Sequence, residues 1–259
     1  MDLGIAGRWA IASGSSRGLG RACADSLARE GVNLVINSRH GDACEEAAAE
    51  IRAAFGVEVR SVEADVATAD GRLTLLAACP APDILVTNCA GPSPTAFTTN
   101  TAAQWQEAFD TNFHSAVGLI QAVIPGMREK SFGRIVTITS AMVTTPHPFM
   151  TLSIAARTAL TGVVKAVSKE VVSDNVTINN LLPERIDTGR QREMADLQVQ
   201  LRGITLEEAY EEMAQSIAAK RLGRPEEVGD ACAFLCAAQS GYISGQNLHL
   251  DGGSYGGLI

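Results

Sequence analysis

Ser13-Gly14-Ser15-Ser16-Arg17-Gly18-Leu19-Gly20 decides how this chain reads. An apolar run, Trp9 to Ser13, leads into it, and a helical pattern from Arg21 to Arg29 opens behind it. Strand, glycine turn and helix in that order form a seat for a dinucleotide pyrophosphate. Gly14 permits a tight turn, Gly18 lets the backbone approach the phosphates, and Gly20 lets helix and strand touch. The first helical turn offers unpaired N–H groups at the positive end of its dipole. The G-x-x-x-G-x-G spacing, with a second strand to follow, makes Gly14, Ser16, Arg17, Gly18 and Leu19 candidate cofactor contacts.

Six further short apolar runs follow the first: Asn33 to Asn37, Val57 to Val62, Ile84 to Thr87, Arg134 to Thr139, Thr177 to Leu182 and Asn247 to Leu250. Between them lie segments long enough for crossover helices, among them Asp42 to Phe55, Ala102 to Lys130 and Ala155 to Val172. Strand and helix in alternation predict an α/β protein. Its sheet is of the Rossmann type, doubly wound, parallel and seven-stranded, in a three-layer single domain over 1–259. The polar, charge-rich helical stretch from Asp187 to Arg221 interrupts the rhythm. It reads as a substrate lid over the carboxyl edge of the sheet, where such folds bind ligands.

Composition narrows the function classes. Hydrophobic residues make up 46% and charged residues 19%, enough apolar material for a sizeable core. A net charge of -8 argues against a nucleic-acid or anionic-membrane partner. The six cysteines form no C-x-x-C pair and the four histidines no H-x-x-x-H, so no metal site and no disulfide frame are expected. Cys232 and Cys236, four apart, read as small hydrophobes on a buried helix face. The first ten residues carry Asp2 and Arg8 and no apolar leader, and no window is long and apolar enough to span a membrane. A cytoplasmic protein with reduced thiols is the expectation.

The second strand ends in Ile36-Asn37-Ser38-Arg39, without the acidic residue that would bind both ribose hydroxyls of NAD. A guanidinium at Arg39, with Arg17 nearby, suits a 2′-phosphate, so the charges favour NADP(H) over NAD(H).

Other segments resemble the short-chain dehydrogenase/reductase family over essentially the whole chain, particularly its 3-oxoacyl-carrier-protein reductase-like members. Ser13 to Gly20 looks like the family's T-G-x-x-x-G-x-G. Asp65-Val66 resembles the pair that contacts adenine, and Asn88 in Thr87-Asn88-Cys89-Ala90 stands where the family has N-N-A-G. Asn112 looks like the helix asparagine that holds a relay water. Gly133 to Ser140 is similar to the strand that delivers the catalytic serine, here Ser140. Pro183-Glu184-Arg185-Ile186-Asp187-Thr188 resembles P-G-x-I-x-T, in which Ile186 and Thr188 would face the nicotinamide carboxamide, with Glu184 in place of a glycine. The resemblance implies a homotetramer built through the 102–130 and 155–172 helices and the apolar carboxyl end. It also implies a small-molecule carbonyl or alcohol substrate.

One motif departs from the family. Its Y-x-x-x-K register falls on Ser153-Ile154-Ala155-Ala156-Arg157, and the only tyrosines, Tyr210, Tyr242 and Tyr255, lie far downstream. An aliphatic hydroxyl is a far weaker acid than a phenol, whose pKa is about 10. A guanidinium can bind ribose hydroxyls and supply positive potential, but it relays protons poorly. The resemblance makes Asn112, Ser140, Ser153 and Arg157 the catalytic set. His147, in Pro146-His147-Pro148, is an alternative proton source with a suitable intrinsic pKa. Three functions are compatible with this pattern: an NADP(H)-dependent oxidoreductase with weak or selective turnover, a cofactor-binding sensor or assembly partner, and a non-redox enzyme on the same scaffold. The intact cofactor turn, Asn112 and Ser140 favour the first.

Overall fold

A computed structural model describes residues 2–258. Seven parallel strands, β1 (Trp9–Ala12), β2 (Asn33–Ser38), β3 (Val59–Glu63), β4 (Ile84–Thr87), β5 (Gly133–Ile138), β6 (Val176–Pro183) and β7 (Asn247–Leu250), form one sheet in the order β3-β2-β1-β4-β5-β6-β7. Every residue of β4 and β5 is buried, as a parallel strand covered on both faces requires.

The helices are α1 (Gly18–Arg29), α2 (Gly41–Phe55), α3 (Ala69–Ala77), α4 (Ala102–Phe109), α5 (Ser115–Glu129), α6 (Thr151–Val171), α7 (Gly189–Arg202), α8 (Leu206–Gln215) and α9 (Pro225–Cys236). Alternation along the strands sorts them into two outer layers. Ala10, Ala12, Leu34 and Ile36 pack with Leu27 of α1, Ile51 of α2 and Cys232 and Leu235 of α9. Ile11, Val35 and Leu85 face the other way, toward Leu75 of α3, Leu119 and Val123 of α5 and Leu160 and Val164 of α6. Cys232 and Cys236 are buried and unbridged, as expected of small apolar side chains.

Two helices differ from their predicted form. The single helix expected over 102–130 is interrupted by a π-helical turn, Asp110–His114, between α4 and α5. The wider turn has Asn112 at its middle, and such insertions cluster at functional sites. Helix α6 begins at Thr151 rather than Ala155, so Ser153 sits inside it, four residues and about one turn before Arg157. Helices α7 and α8 make a small core of their own from Ala195, Ala209 and Met213, beside the carboxyl edge of the sheet.

Candidate active site

The strand order reverses between β1 and β4, and the crevice at this point opens into a cleft of about 1660 Å³. The glycine turn forms its floor. Gly14 has a φ of 55°, and a Cβ there would come within 2.6 Å of the Asn88 carbonyl oxygen. Asn88 donates from Nδ2 to the Gly14 carbonyl at 2.8 Å and from its backbone to Ser13 Oγ at 3.0 Å, which ties the end of β4 to the turn. Asn37 closes the other side. Its Nδ2 donates to the Val62 and Ala64 carbonyls at 3.0 Å, and its Oδ1 accepts from the Gly14 N–H at 3.4 Å. The turn is thus braced by three strand ends, and Gly18, with a φ of 62° and open space where a side chain would be, presents the bare start of α1 to the cleft. No acidic residue lies in the first turn of α1. These residues fit a dinucleotide pyrophosphate.

Arg17 and Arg39 are exposed on the same cleft, and among the described residues neither guanidinium joins an ion pair or a hydrogen bond. Most other arginines on the surface are paired, as Arg21 is with Asp25 and Arg221 with Glu227. Asp65 and Val66, after β3, and Ile186 and Thr188, after β6, also line the cleft.

There the chemistry-bearing side chains meet. Ser140, two residues past β5, is half-buried, and its Oγ accepts from the Met142 N–H at 3.2 Å. Ser153 Oγ accepts from Arg157 Nε at 3.2 Å. Arg157 is 9% exposed. Its Nη1 donates to the carbonyls of Ile138 and Thr139 at 2.8 and 2.9 Å, and its Nη2 to that of Cys89 at 3.3 Å. Four of its five N–H donors are therefore held by the chain, and one remains. Burial lowers this guanidinium to about 10, so it stays cationic at neutral pH. The same burial pushes the neighbouring Cys89 thiol up.

Of the residues named as candidate catalytic or cofactor contacts, Asn112 is the one that does not line the cleft. It is buried behind Thr111, its Nδ2 donates to the Ala108 carbonyl at 3.4 Å, and its Oδ1 has no hydrogen-bond partner. His147 lies exposed on the rim, with Nδ1 2.7 Å from the Pro148 carbonyl. A carbonyl only accepts, so Nδ1 is the donor in this contact. Arg190 of α7 donates to the Pro92 carbonyl at 2.7 Å, and Met194 and Leu197 of the same helix line the cleft. The bracing roles of Asn37 and Arg190 had no signal in the sequence beyond their polarity.

Comparison with known proteins agrees with this arrangement. The profile of the family described as enoyl-(acyl carrier protein) reductase matches residues 14–255. The 3-oxoacyl-[acyl-carrier-protein] reductase FabG of Vibrio harveyi is 31% identical over 256 residues, 98% of this chain and 99% of its own. Among solved structures, the L-sorbose reductase of Gluconobacter frateurii, complexed with NADPH and L-sorbose, superposes with a TM-score of 0.95 at 30% identity, over 100% of both chains. A 3-oxoacyl (acyl-carrier-protein) reductase from Agrobacterium tumefaciens C58 with NADP bound gives 0.88 at 27%, over 97% of this chain and 96% of that one. Matched by this family profile over most of its length and by such reductases over essentially all of it, the chain belongs to the short-chain dehydrogenase/reductase family of oxidoreductases.

Proposed function

We propose that this protein interconverts a carbonyl and an alcohol with NADP(H), holding the substrate oxygen between the hydroxyls of Ser140 and Ser153. One observation carries the reading. Each serine oxygen already accepts a hydrogen bond from the chain, Ser140 from the Met142 N–H and Ser153 from Arg157, while both line the cleft. A hydroxyl whose oxygen is engaged in this way has its own proton left to donate. When bound, NADPH would supply the hydride that the carbonyl carbon receives. The chain supplies two O–H donors for the oxygen that becomes negative, backed by a buried cation that needs no reorganisation.

Arg17 and Arg39 would hold the 2′-phosphate, the start of α1 the pyrophosphate, Asp65 and Val66 the adenine, and Ile186 and Thr188 the carboxamide. The last free N–H of Arg157 leaves room for one ribose contact. Asn112, with an unpartnered buried Oδ1, suits the water-holding role that the family resemblance gives it. Residues 187–221 act as the substrate lid of a single domain, latched by Arg190 on Pro92.

Homotetramer assembly in a cytoplasmic setting completes the reading, supported by the family resemblance and by cysteines that are all unbridged. Light scattering at micromolar concentration should give four times the chain mass of 27.2 kDa. Among the described residues no helix is long and apolar enough to cross a membrane.

The test is NADPH oxidation followed at ~340 nm with ethyl acetoacetate and L-sorbose as probes. Ser140→Ala should lower kcat by roughly 10²–10³, the usual loss for one oxyanion donor, with NADPH binding intact. An unchanged rate in Ser140→Ala would refute the assignment.

A further inference from the structure

A carbonyl reduced in this cleft becomes an alkoxide, and neither serine can protonate it well, because an aliphatic hydroxyl is about as weak an acid as water. The cleft is also lined by five carboxyls, those of Asp65, Glu107, Asp110, Glu184 and Glu193, and among the described residues Glu184 is the one both half-buried and without a hydrogen bond to its carboxyl. Glu184 follows directly on β6, at the position where the family resemblance has a glycine. It is half-buried and lines the same cleft as Ser140 and Ser153. Among the described residues no hydrogen bond or ion pair reaches its carboxyl, whereas surface carboxylates such as Asp25, Asp230 and Glu227 are all bonded to arginines.

Glu184 also lines a second cavity, of about 260 Å³, on the far side of the wall. That cavity contains His249 and Asp251, whose Nδ1 and Oδ2 are 3.4 Å apart, and Arg221 and Glu227 at its rim. The turn that places Glu184 between the two spaces is strained. Arg185, next in the chain, has a φ of 50°, a region side chains avoid, and its Nε is buried without a partner. Strain of this kind persists where the surroundings over-determine it, and it clusters at functional sites.

We propose that the Glu184 carboxyl is the proton donor of this site, standing in for the absent phenol, and that it is recharged from solvent through the second cavity by way of His249 and Asp251. The proposal rests on the carbonyl reduction argued above. As the carbonyl carbon gains hydride, its π pair becomes a lone pair on oxygen. The O–H bond of the Glu184 carboxyl breaks and that of the alcohol forms. The carboxylate left behind takes a proton from water, relayed by the His249 ring, and alcohol oxidation runs the same steps backward.

The groups around Glu184 suit this duty. Burial raises its carboxyl above the ordinary value, the negative Asp251 adds to the rise, and Arg185, His147 and His249 pull the other way. A carboxylic acid raised toward the working pH is a competent general acid. Reduction should therefore be flat at low pH and fall as pH rises through the Glu184 titration, with oxidation showing the opposite limb.

Two measurements on the full-length protein with NADP(H) bound test this. The first needs no turnover: ¹³C NMR of δ-labelled glutamate should show one carboxyl titrating above the rest, absent from Glu184→Gln. The second is the pH profile of ethyl acetoacetate and L-sorbose reduction. Glu184→Gln, nearly the same shape, should lose about 10²–10⁴ in kcat, with KM and NADPH fluorescence titration little changed, and should lose the alkaline limb. Glu184→Asp should keep that limb at reduced rate. A Glu184→Gln enzyme with wild-type rate and limb would overturn the proposal alone. A limb removed by His147→Ala instead would transfer the proton to His147 and overturn it as well. No NADPH oxidation with any carbonyl would remove the carbonyl-reduction reading, and this proposal with it.

Discussion

Replacing Arg157 with methionine removes the guanidinium from three backbone carbonyls at the carboxyl ends of two neighbouring strands. Those of Ile138, the last residue of β5, and of Thr139 just after it lie at 2.8 and 2.9 Å, and that of Cys89, after β4, at 3.3 Å. A stranded buried acceptor costs about 1–3 kcal/mol, so three give roughly 3–9. Against this, methionine relieves the chain of keeping an unpaired cation dry, which costs several kcal/mol. The difference predicts a loss of about 2–4 kcal/mol. At ~2–4 °C per kcal/mol for a chain near this size, Tm should drop by roughly 5–15 °C. Arg157→Lys, with three N–H donors on one nitrogen, should keep part of the network and lose only about 1 kcal/mol. Urea unfolding followed by far-UV circular dichroism reads this as a shift of the midpoint at constant slope. If Arg157→Met lies within about 0.5 kcal/mol of the wild type, the size of an ordinary surface substitution, the bonds to the strand ends carry no stability and the reasoning fails.

Arg39→Asp should exchange NADPH preference for NADH, because a charge-assisted bond to the 2′-phosphate worth about 1.5–3 kcal/mol is replaced by repulsion. Fluorescence titration with the two cofactors should show the wild type binding NADPH ten-fold or more tighter, and equal affinities would contradict the role given to Arg39. Acid stability depends on Glu227, which its hydrogen bond to Arg221 and the Arg224 N–H hold at about 2. Folded below its unfolded value, it binds fewer protons than the unfolded chain, so the stability it lends is present above the ordinary carboxylate range and lost as pH falls toward 2. Glu227→Gln should flatten that part of the pH–stability curve while costing less than ~1 kcal/mol at neutral pH, since the side chain is a third exposed.

The sheet was legible because buried parallel strands are runs of Val, Ile and Leu flanked by helical stretches, and the cofactor floor because glycine spacing at a strand end has few other uses. Arg39 stood out as a cation where a carboxylate would otherwise sit. The π-helical turn at Asn112 could not be read, since Asp110 to His114 are compatible with an ordinary helix and only packing selects the wider one. The S-x-x-x-R pair was visible, but not what Arg157 grips, because Cys89, Ile138 and Thr139 come from strands that the sequence does not show converging. Glu184 was visible as an acid in place of a glycine. Its isolation was not, because that depends on His249 and Asp251, more than sixty residues away in the chain.

The grip of Arg157 on both strand ends also constrains how such a site can change over evolutionary time. A lysine at this position gives up the flat, multiply bonded clamp before a tyrosine at 153 can use the new ammonium. A tyrosine at 153 installed first must share its space with the guanidinium that Ser153 Oγ now meets at 3.2 Å. Each single step disturbs the pair before the other can compensate. Positions 153 and 157 are thus coupled through backbone carbonyls at two strand ends, so a change at one is expected to call for a change at the other.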